Sequence, residues 1–461
     1  MRRKGMVWIS AAIIAAFGIT SVGYAGENTK EETSKMMQHT EEETALEYVT
    51  LLGEKAYDDL MTKFSYTEEM EVMVKDGSLQ KSYESLMGML KGLKEVKTPF
   101  VIEQYGYKTV CVPCQFEVQN LNLQISFQDG KIAGILTAVY QEPDTEERKE
   151  YTEKEISISI GEGKELPGTL ILPDGEGPFP VVVFVHGSGP SDRDETINGN
   201  KPFKDLAEGL AEKGIASYRY DKRTYVYQKE AAMDIGLTVK EETVDDAVNA
   251  VRMLKETQEI NPEEIFVAGH SLGGYVVPMI DKELKEGEAA GYILLAAPVQ
   301  GLADLMKEQY NFLFGLEASP SDAVKEQKKM IDAELKKLDH LEKYKDNELI
   351  MGAYVPYWKN LEQYNIEEEA KKIEEPCLIL QGEEDYQVTM REFESWKEIF
   401  SEKSNAKFVS FPGLTHLFME GKKENGSKDY QNIQHVSPQV TDEIAEFMKE
   451  ERKKRCIRDS L

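Results

Sequence analysis

Gly269-His270-Ser271-Leu272-Gly273-Gly274 follows directly on the apolar run Ile265-Phe266-Val267-Ala268, and a helix-compatible stretch, Tyr275 to Lys285, comes after it. A buried strand, Gly-x-Ser-x-Gly and a helix, in that order, form a nucleophile elbow. The turn lifts the serine hydroxyl clear at the head of the helix. The flanking glycines are needed because a Cβ at either position would strike neighbouring backbone. A serine hydroxyl attacks poorly until a base takes its proton, and that base must be oriented by a carboxylate. In a strand-turn-helix setting of this kind the partners follow in chain order, carboxylate and then histidine. Leu378 to Gln381 reads as a strand breaking into the acidic loop Gly382-Glu383-Glu384-Asp385. The next strand ends in Phe411-Pro412-Gly413-Leu414-Thr415-His416. His416 is preferred to His435, which lies in a polar stretch rich in Asn and Gln.

The elements that must position these groups alternate. Val181 to Val185 is a continuous apolar strand, Phe203 to Lys213 a helix, Ile215 to Tyr220 a strand and Val239 to Thr257 a helix. After the elbow come the strands Tyr292 to Ala297 and Cys377 to Gln381, the helix Arg391 to Phe400, the strand Lys407 to Phe411 and a last helix, Ser437 to Lys449. Strand-helix alternation with fully apolar strands predicts a doubly wound, mainly parallel α/β sheet, with ligands at the carboxyl ends of its strands. Ahead of it, Ile156 to Ile160 and Leu166 to Leu172 are expected as an antiparallel pair. The alternation stops between Pro298 and Ile373, in a helical stretch rich in aromatics (Tyr310, Phe312, Phe314, Tyr344, Tyr354, Tyr357, Trp358, Tyr364). At about 300–370 this predicts a helical cap over the crevice, with most of the aromatics packing cap onto core.

The elbow, Asp385 and His416 together resemble the α/β-hydrolase superfamily over residues 153–451. The resemblance implies a catalytic triad of Ser271, Asp385 and His416. Asp385 is favoured over Glu383 and Glu384 by the family's Gly-x-x-Asp spacing, with Gln387-Val388 following. It also implies two backbone donors for the oxyanion of a tetrahedral intermediate, the amide of Leu272 and, from the loop His186-Gly187-Ser188-Gly189-Pro190, that of Ser188. His186 is expected to brace this loop, and His270 to be structural. Ser191-Asp192-Arg193-Asp194 and Arg219-Tyr220-Asp221-Lys222-Arg223 resemble the exported serine carboxylesterase branch. Those charges either bind an acidic substrate or brace the loops by salt bridges, the plainer reading.

Residues 44–145 read as a separate α+β unit. Thr44 to Phe64 and Leu79 to Val96 are spaced like helices. Phe100 to Gln104, Tyr107 to Val112, Gln115 to Phe127 and Lys131 to Tyr140 read as strands, with Asp129-Gly130 as a hairpin turn. Helices first and sheet after is similar to the cone-shaped, nuclear-transport-factor-like accessory domains. A charged linker, Glu142 to Glu150, joins the two units. At the start, Arg2-Arg3-Lys4, the uncharged stretch Met6 to Thr20 and Gly23-Tyr24-Ala25 have the form of a signal peptide over 1–25, followed by a polar linker over 26–43. The protein is therefore expected to be exported to the cell surface or medium, or held at a membrane if the segment stays uncleaved.

A formal net charge of −29 argues against nucleic acid, which needs clustered Lys and Arg. Cys111-Val112-Pro113-Cys114 has redox or zinc half-site spacing but lacks a second Cys pair or a nearby His. It reads as a local disulfide or two structural thiols. No metal or cofactor is indicated. The expected activity is hydrolysis of a small-molecule carboxylic ester through an acyl-enzyme. The alternatives are a prolyl-oligopeptidase-like serine peptidase, although no blade-length repeat precedes residue 150, and a non-catalytic ligand-binding protein with a vestigial hydrolase half.

Overall fold

The apolar runs Val181–Val185, Ile265–Ala268 and Leu378–Leu380 lie inside one large sheet, and all their side chains are buried. The structure, a computed structural model, describes residues 40–104, 107–118, 120–139, 151–317 and 319–459. The chain divides into two units. The expected signal segment, most of the linker after it and all of Glu142 to Glu150 lie outside the described residues.

In the second unit the large sheet comprises β1 (Tyr151–Glu155), β2 (Gly168–Pro173), β3 (Phe179–Val185), β4 (Ala216–Tyr220), β5 (Ile260–His270), β6 (Gly291–Leu295), β7 (Cys377–Gly382) and β8 (Ala406–Phe411). Its order is β8-β7-β6-β5-β3-β4-β2-β1. Strands β3 to β8 pair in parallel, while β2 joins β4 and β1 joins β2 antiparallel. Successive residues of a strand face opposite sides, so the apolar runs feed two cores. Val181, Val183 and Val185 pack with the helix Asp245–Lys255 on one face. Val182 and Phe184 pack with the helices Pro202–Ala211 and Pro438–Asp459 on the other.

Several elements differ from expectation. Ile158–Ser159 pairs only with Glu165–Leu166, and β2 leaves that hairpin for the large sheet. Leu170 and Ile171 can then bury in opposite cores, which an isolated hairpin does not provide. Strand β1 escapes a hydrophobic reading because it is an edge strand, Tyr-Thr-Glu-Lys-Glu, with four exposed residues. The helix expected from Val239 opens with a wide turn, Lys240–Val244, before regular helix begins at Asp245. The helix after the elbow is two pieces, Leu272–Tyr275 and Val277–Glu283, the second with Pro278 in its first turn.

The stretch expected as a cap, and called the cap below, is an insertion between β6 and β7, with helices Leu302–Gly315, Asp322–Leu335, Val355–Glu362 and Ile366–Ala370. It also holds a small hairpin, Leu349–Ile350 against Ala353–Tyr354, that the helical reading lacked. Where the chain leaves the sheet, buried Glu392 accepts the N–H groups of Val299 (2.7 Å) and Gln300 (2.8 Å) through one carboxylate oxygen. Aromatics of the insertion pack both onto the framework and within the insertion itself. Phe312 stacks on Tyr386 and Tyr364 meets Tyr275 edge-on. Tyr357 donates to Glu242 and Trp358 to the Ile350 carbonyl.

The first unit has helices Glu41–Gly53, Tyr57–Lys63, Glu68–Lys75 and Ser78–Leu90, followed by a five-stranded antiparallel sheet. Thr40 and Glu43 form a capping box, so helix begins ahead of residue 44. The single helix expected over Thr44 to Phe64 is two, and the helix expected to run to Val96 stops at Leu90, before the strand Leu93–Val96. The hairpin at Asp129-Gly130 has positive φ at both residues (50° and 72°), with Gln128 paired to Lys131.

One strand, Tyr107–Phe116, runs straight through Pro113. On the side where Pro113 accepts from the Lys97 N–H, one partner strand ends opposite Cys111 and the next begins opposite Cys114. The missing N–H of Pro113 falls in that gap. Cys111 and Cys114 are free and buried. Three apart on a strand, they project from opposite faces, so the structure has two separate thiols rather than a disulfide. Burial pushes the Cys114 thiol up to about 12, away from thiolate reactivity.

Candidate active site

Each predicted site residue lies just past the carboxyl end of a parallel strand. Ser188 follows β3, Ser271 and Leu272 follow β5, Asp385 follows β7 and His416 follows β8. Ser271 has φ 53° and ψ −116°, a conformation costing a non-glycine residue about 1–3 kcal/mol. The surroundings hold it there, with Ser271 N–H donating to Leu295 O (2.9 Å) and Ser271 O accepting from Tyr275 N–H (3.0 Å). A Cβ on Gly273 would lie 2.2 Å from Val185 O, and one on Gly269 2.3 Å from Gly273 O. The elbow is therefore pressed directly against the end of β3. Ser271 itself is only part-buried, and Leu272 is buried behind it.

His416 Nδ1 lies 2.7 Å from Asp385 Oδ2, with both residues buried. The carboxylate is held at every corner: Oδ1 accepts the N–H groups of Gln387 (2.7 Å) and Val388 (2.9 Å), and Oδ2 also accepts Gln381 Nε2 (3.0 Å). Glu383 and Glu384 turn elsewhere, bonded to Ser410 Oγ and to the Lys423 N–H. His435 is also elsewhere, exposed and paired with Asp205. The loop carrying His416 is brought to the elbow through His270, whose Nε2 is 3.0 Å from the His416 carbonyl oxygen.

His270 is fully buried, and its Nδ1 makes an ionic contact (2.8 Å) with the buried Glu195 carboxylate. Burial alone would lower the pKa of His270 and raise that of Glu195. Their mutual attraction outweighs this, raising the imidazole above its usual value and holding the carboxyl below its own. The other Glu195 oxygen accepts the Gly187 N–H (2.6 Å). Glu195 thus joins the loop after β3 to the elbow, and His270 joins the elbow to the His416 loop. His186 bonds through Nε2 to Asp192 O (3.0 Å), and burial pushes it down to about 4, so it is a neutral brace at pH 7.

The charged clusters also act as braces. Arg193 is bidentate on Asp221 and reaches Glu155, Arg219 pairs with Asp194, and Arg223 with Asp246. Three residues of this shell were not singled out from the sequence: Glu195, Gln381 and Glu242. A Glu four residues beyond Ser191 and a Gln at the end of an apolar strand were the available signals, and neither states its partner. Among the described residues no cluster of three His, Cys, Asp or Glu side chains could hold a metal ion.

The strand order and the elbow at the end of β5 define an α/β-hydrolase architecture. The hydrolase family described as serine aminopeptidase, S33, matches residues 177–423. Esterase EstD of Thermotoga maritima is 33% identical over 379 residues, which cover 80% of this chain and 87% of that protein. The chain belongs to this hydrolase family. Solved structures it matches include Est1E from Butyrivibrio proteoclasticus (18% identity, TM-score 0.42, 65% of this chain and 99% of that one). An esterase of Pyrococcus furiosus also matches (16% identity, TM-score 0.43, 68% and 97%).

Proposed function

We propose that the protein hydrolyses carboxylic esters through an acyl-enzyme. Ser271 Oγ attacks the ester carbonyl carbon while His416 Nε2 takes the hydroxyl proton, and the π electrons of the carbonyl move onto its oxygen. The amides of Leu272 and Ser188 bind that oxyanion. The intermediate collapses, the alcohol leaves with the proton from His416, and water repeats the sequence to release the acid. Asp385 holds the imidazole with Nδ1 protonated, so that Nε2 is free to accept. What supports this reading is the buried His416–Asp385 contact, on a loop tied through the His416 carbonyl to His270, the residue before the strained Ser271. The likeness to a relative named an esterase supports esters as substrates, and the aromatic cap suits short acyl or aryl groups.

A peptidase reading draws on the family's description as serine aminopeptidase. The test uses 4-nitrophenyl butyrate beside amino-acid 4-nitroanilides. Ester turnover should dominate, and Ser271→Ala should remove it by roughly 10⁵-fold or more with unchanged melting. Unaltered turnover in that variant would overturn the proposal, and faster anilide cleavage would move it to peptides. For the first unit we propose an accessory domain of the cone-like type, and for residues 1–25 an export signal.

A further inference from the structure

Lys222 is buried to 1% exposure, yet no step of ester cleavage described above uses it. Its ammonium donates to the Gly187 carbonyl (2.8 Å) and pairs with Glu242 Oε1 (2.6 Å). The other Glu242 oxygen accepts the hydroxyl of Tyr357, on the cap helix Val355–Glu362 (2.8 Å). The Gly187 N–H, on the far side of the same residue, is held by Glu195 (2.6 Å). Both peptide groups of Gly187 are therefore fixed by charged, buried side chains.

The consequence follows from peptide geometry. The Gly187 carbonyl and the Ser188 N–H belong to one trans peptide plane and point in opposite directions. Drawing the carbonyl onto Lys222 turns the Ser188 N–H away from Lys222, and that N–H has no acceptor among the described residues. The peptide lies against the nucleophile, since a Cβ on Gly187 would sit 3.3 Å from Ser271 Cβ. A cation on the carbonyl also polarises the amide, making its N–H a stronger donor.

We infer that Lys222 is a positioning residue for the oxyanion site: it orients the Ser188 N–H and is itself held by Glu242 and, through Glu242, by Tyr357 of the cap. The inference rests on the acyl-transfer reading above. It ties the cap to the catalytic apparatus, because Tyr357 reaches the donor peptide in three contacts. Lys222 touches no reacting atom, so its effect falls on the transition state and not on substrate binding.

The test compares Lys222→Met, Lys222→Met/Glu242→Gln and Tyr357→Phe with wild type. The double variant removes both charges and leaves neither alone in the interior. The substrate is 4-nitrophenyl butyrate, and the probe is an alkyl trifluoromethyl ketone. Ser271 Oγ adds to that ketone as its proton passes to His416, giving a hemiketal oxyanion. Both Lys222 variants should lose kcat about 10- to 100-fold, below the 10²- to 10³-fold for deleting a donor outright. KM should stay within about threefold, the trifluoromethyl ketone should weaken in parallel with kcat, and butyrate inhibition should not change. Tyr357→Phe should lose about 2- to 10-fold by the same pattern.

Folded Lys222 variants with wild-type kcat and ketone affinity overturn the inference, and so does a loss confined to KM. If neither Lys222 variant folds, Tyr357→Phe decides by the same criteria. A wild-type protein that neither turns over esters nor binds the ketone refutes the acyl-transfer reading instead.

Discussion

Asp385→Asn alters almost no volume, yet the site leaves the new amide no comfortable orientation. Oδ1 of Asp385 accepts two backbone N–H groups, and Oδ2 accepts Gln381 Nε2 and faces His416 Nδ1. An Asn nitrogen on the Oδ1 side would oppose the Gln387 and Val388 donors. On the Oδ2 side it opposes only Gln381, and it can donate to His416 if the imidazole gives up its Nδ1 proton. The second arrangement conflicts with fewer donors and should win. The proton then resides on Nε2, where the ring can no longer accept from Ser271. A wrong tautomer of this kind lowers kcat by about 10⁴-fold, or roughly 5 kcal/mol at 1.36 kcal/mol per decade. Stability should fall by about 1–3 kcal/mol for the buried donor left facing another donor. The assay is kcat/KM for 4-nitrophenyl butyrate, with urea denaturation in parallel. A loss below tenfold in a natively stable variant would refute Asp385 as the orienting carboxylate.

Two further variants probe the braces. Because the pKa of His270 is raised, its protonated form contributes stability that is full below about pH 6.5 and lost as pH rises through the raised value. That of Glu195, lowered, contributes above about 4.5 and fades as pH falls through its depressed value. The difference in melting temperature between wild type and His270→Gln should therefore be largest between about pH 4.5 and 6.5 and shrink on the alkaline side. A difference constant from pH 5 to 9 would remove the ionic pair. Gly273→Ala should cost about 3 kcal/mol or fail to fold, because its Cβ meets Val185 O at 2.2 Å. Unchanged urea stability there would show that the elbow is not pressed against β3.

The buried scaffold was legible because its chemistry is local. Strands covered on both faces are apolar where they are covered, so β3, the Ile265–Ala268 part of β5 and β7 stand out in the sequence, while the polar start of β5, Asn261-Pro262-Glu263-Glu264, does not. The elbow is legible because close backbone contact leaves glycine as the only residue that fits. What escaped reading depends on partners distant in sequence. Strand β1 is polar because one edge of it faces water, and the helix Glu68–Lys75 and the break after Gly53 are set by packing within the first unit. Glu195, Gln381 and Glu242 belong to residue types that are usually solvated, and only the fold brings them to Gly187, Asp385 and Lys222. The Cys pair shows the converse: a suggestive spacing loses its meaning once both residues lie on one continuous strand.

The cap departs from the sheet after β6 and re-enters at β7, and these two strands are neighbours in parallel register. Its point of departure is clipped by Glu392, which belongs to the framework beyond β7 and not to the cap. The excursion is thus a crossover between neighbouring strands, leaving past the carboxyl end of β6 and returning at the amino end of β7, and its interior can change in length so long as those two anchors hold. Changes confined to that interior leave Ser271, Asp385 and His416, which follow β5, β7 and β8, in place. Under the role inferred for Lys222, one contact limits that freedom: a replacement lacking the Tyr357 hydroxyl leaves Glu242 without that donor and should show the loss of about 2- to 10-fold expected of Tyr357→Phe.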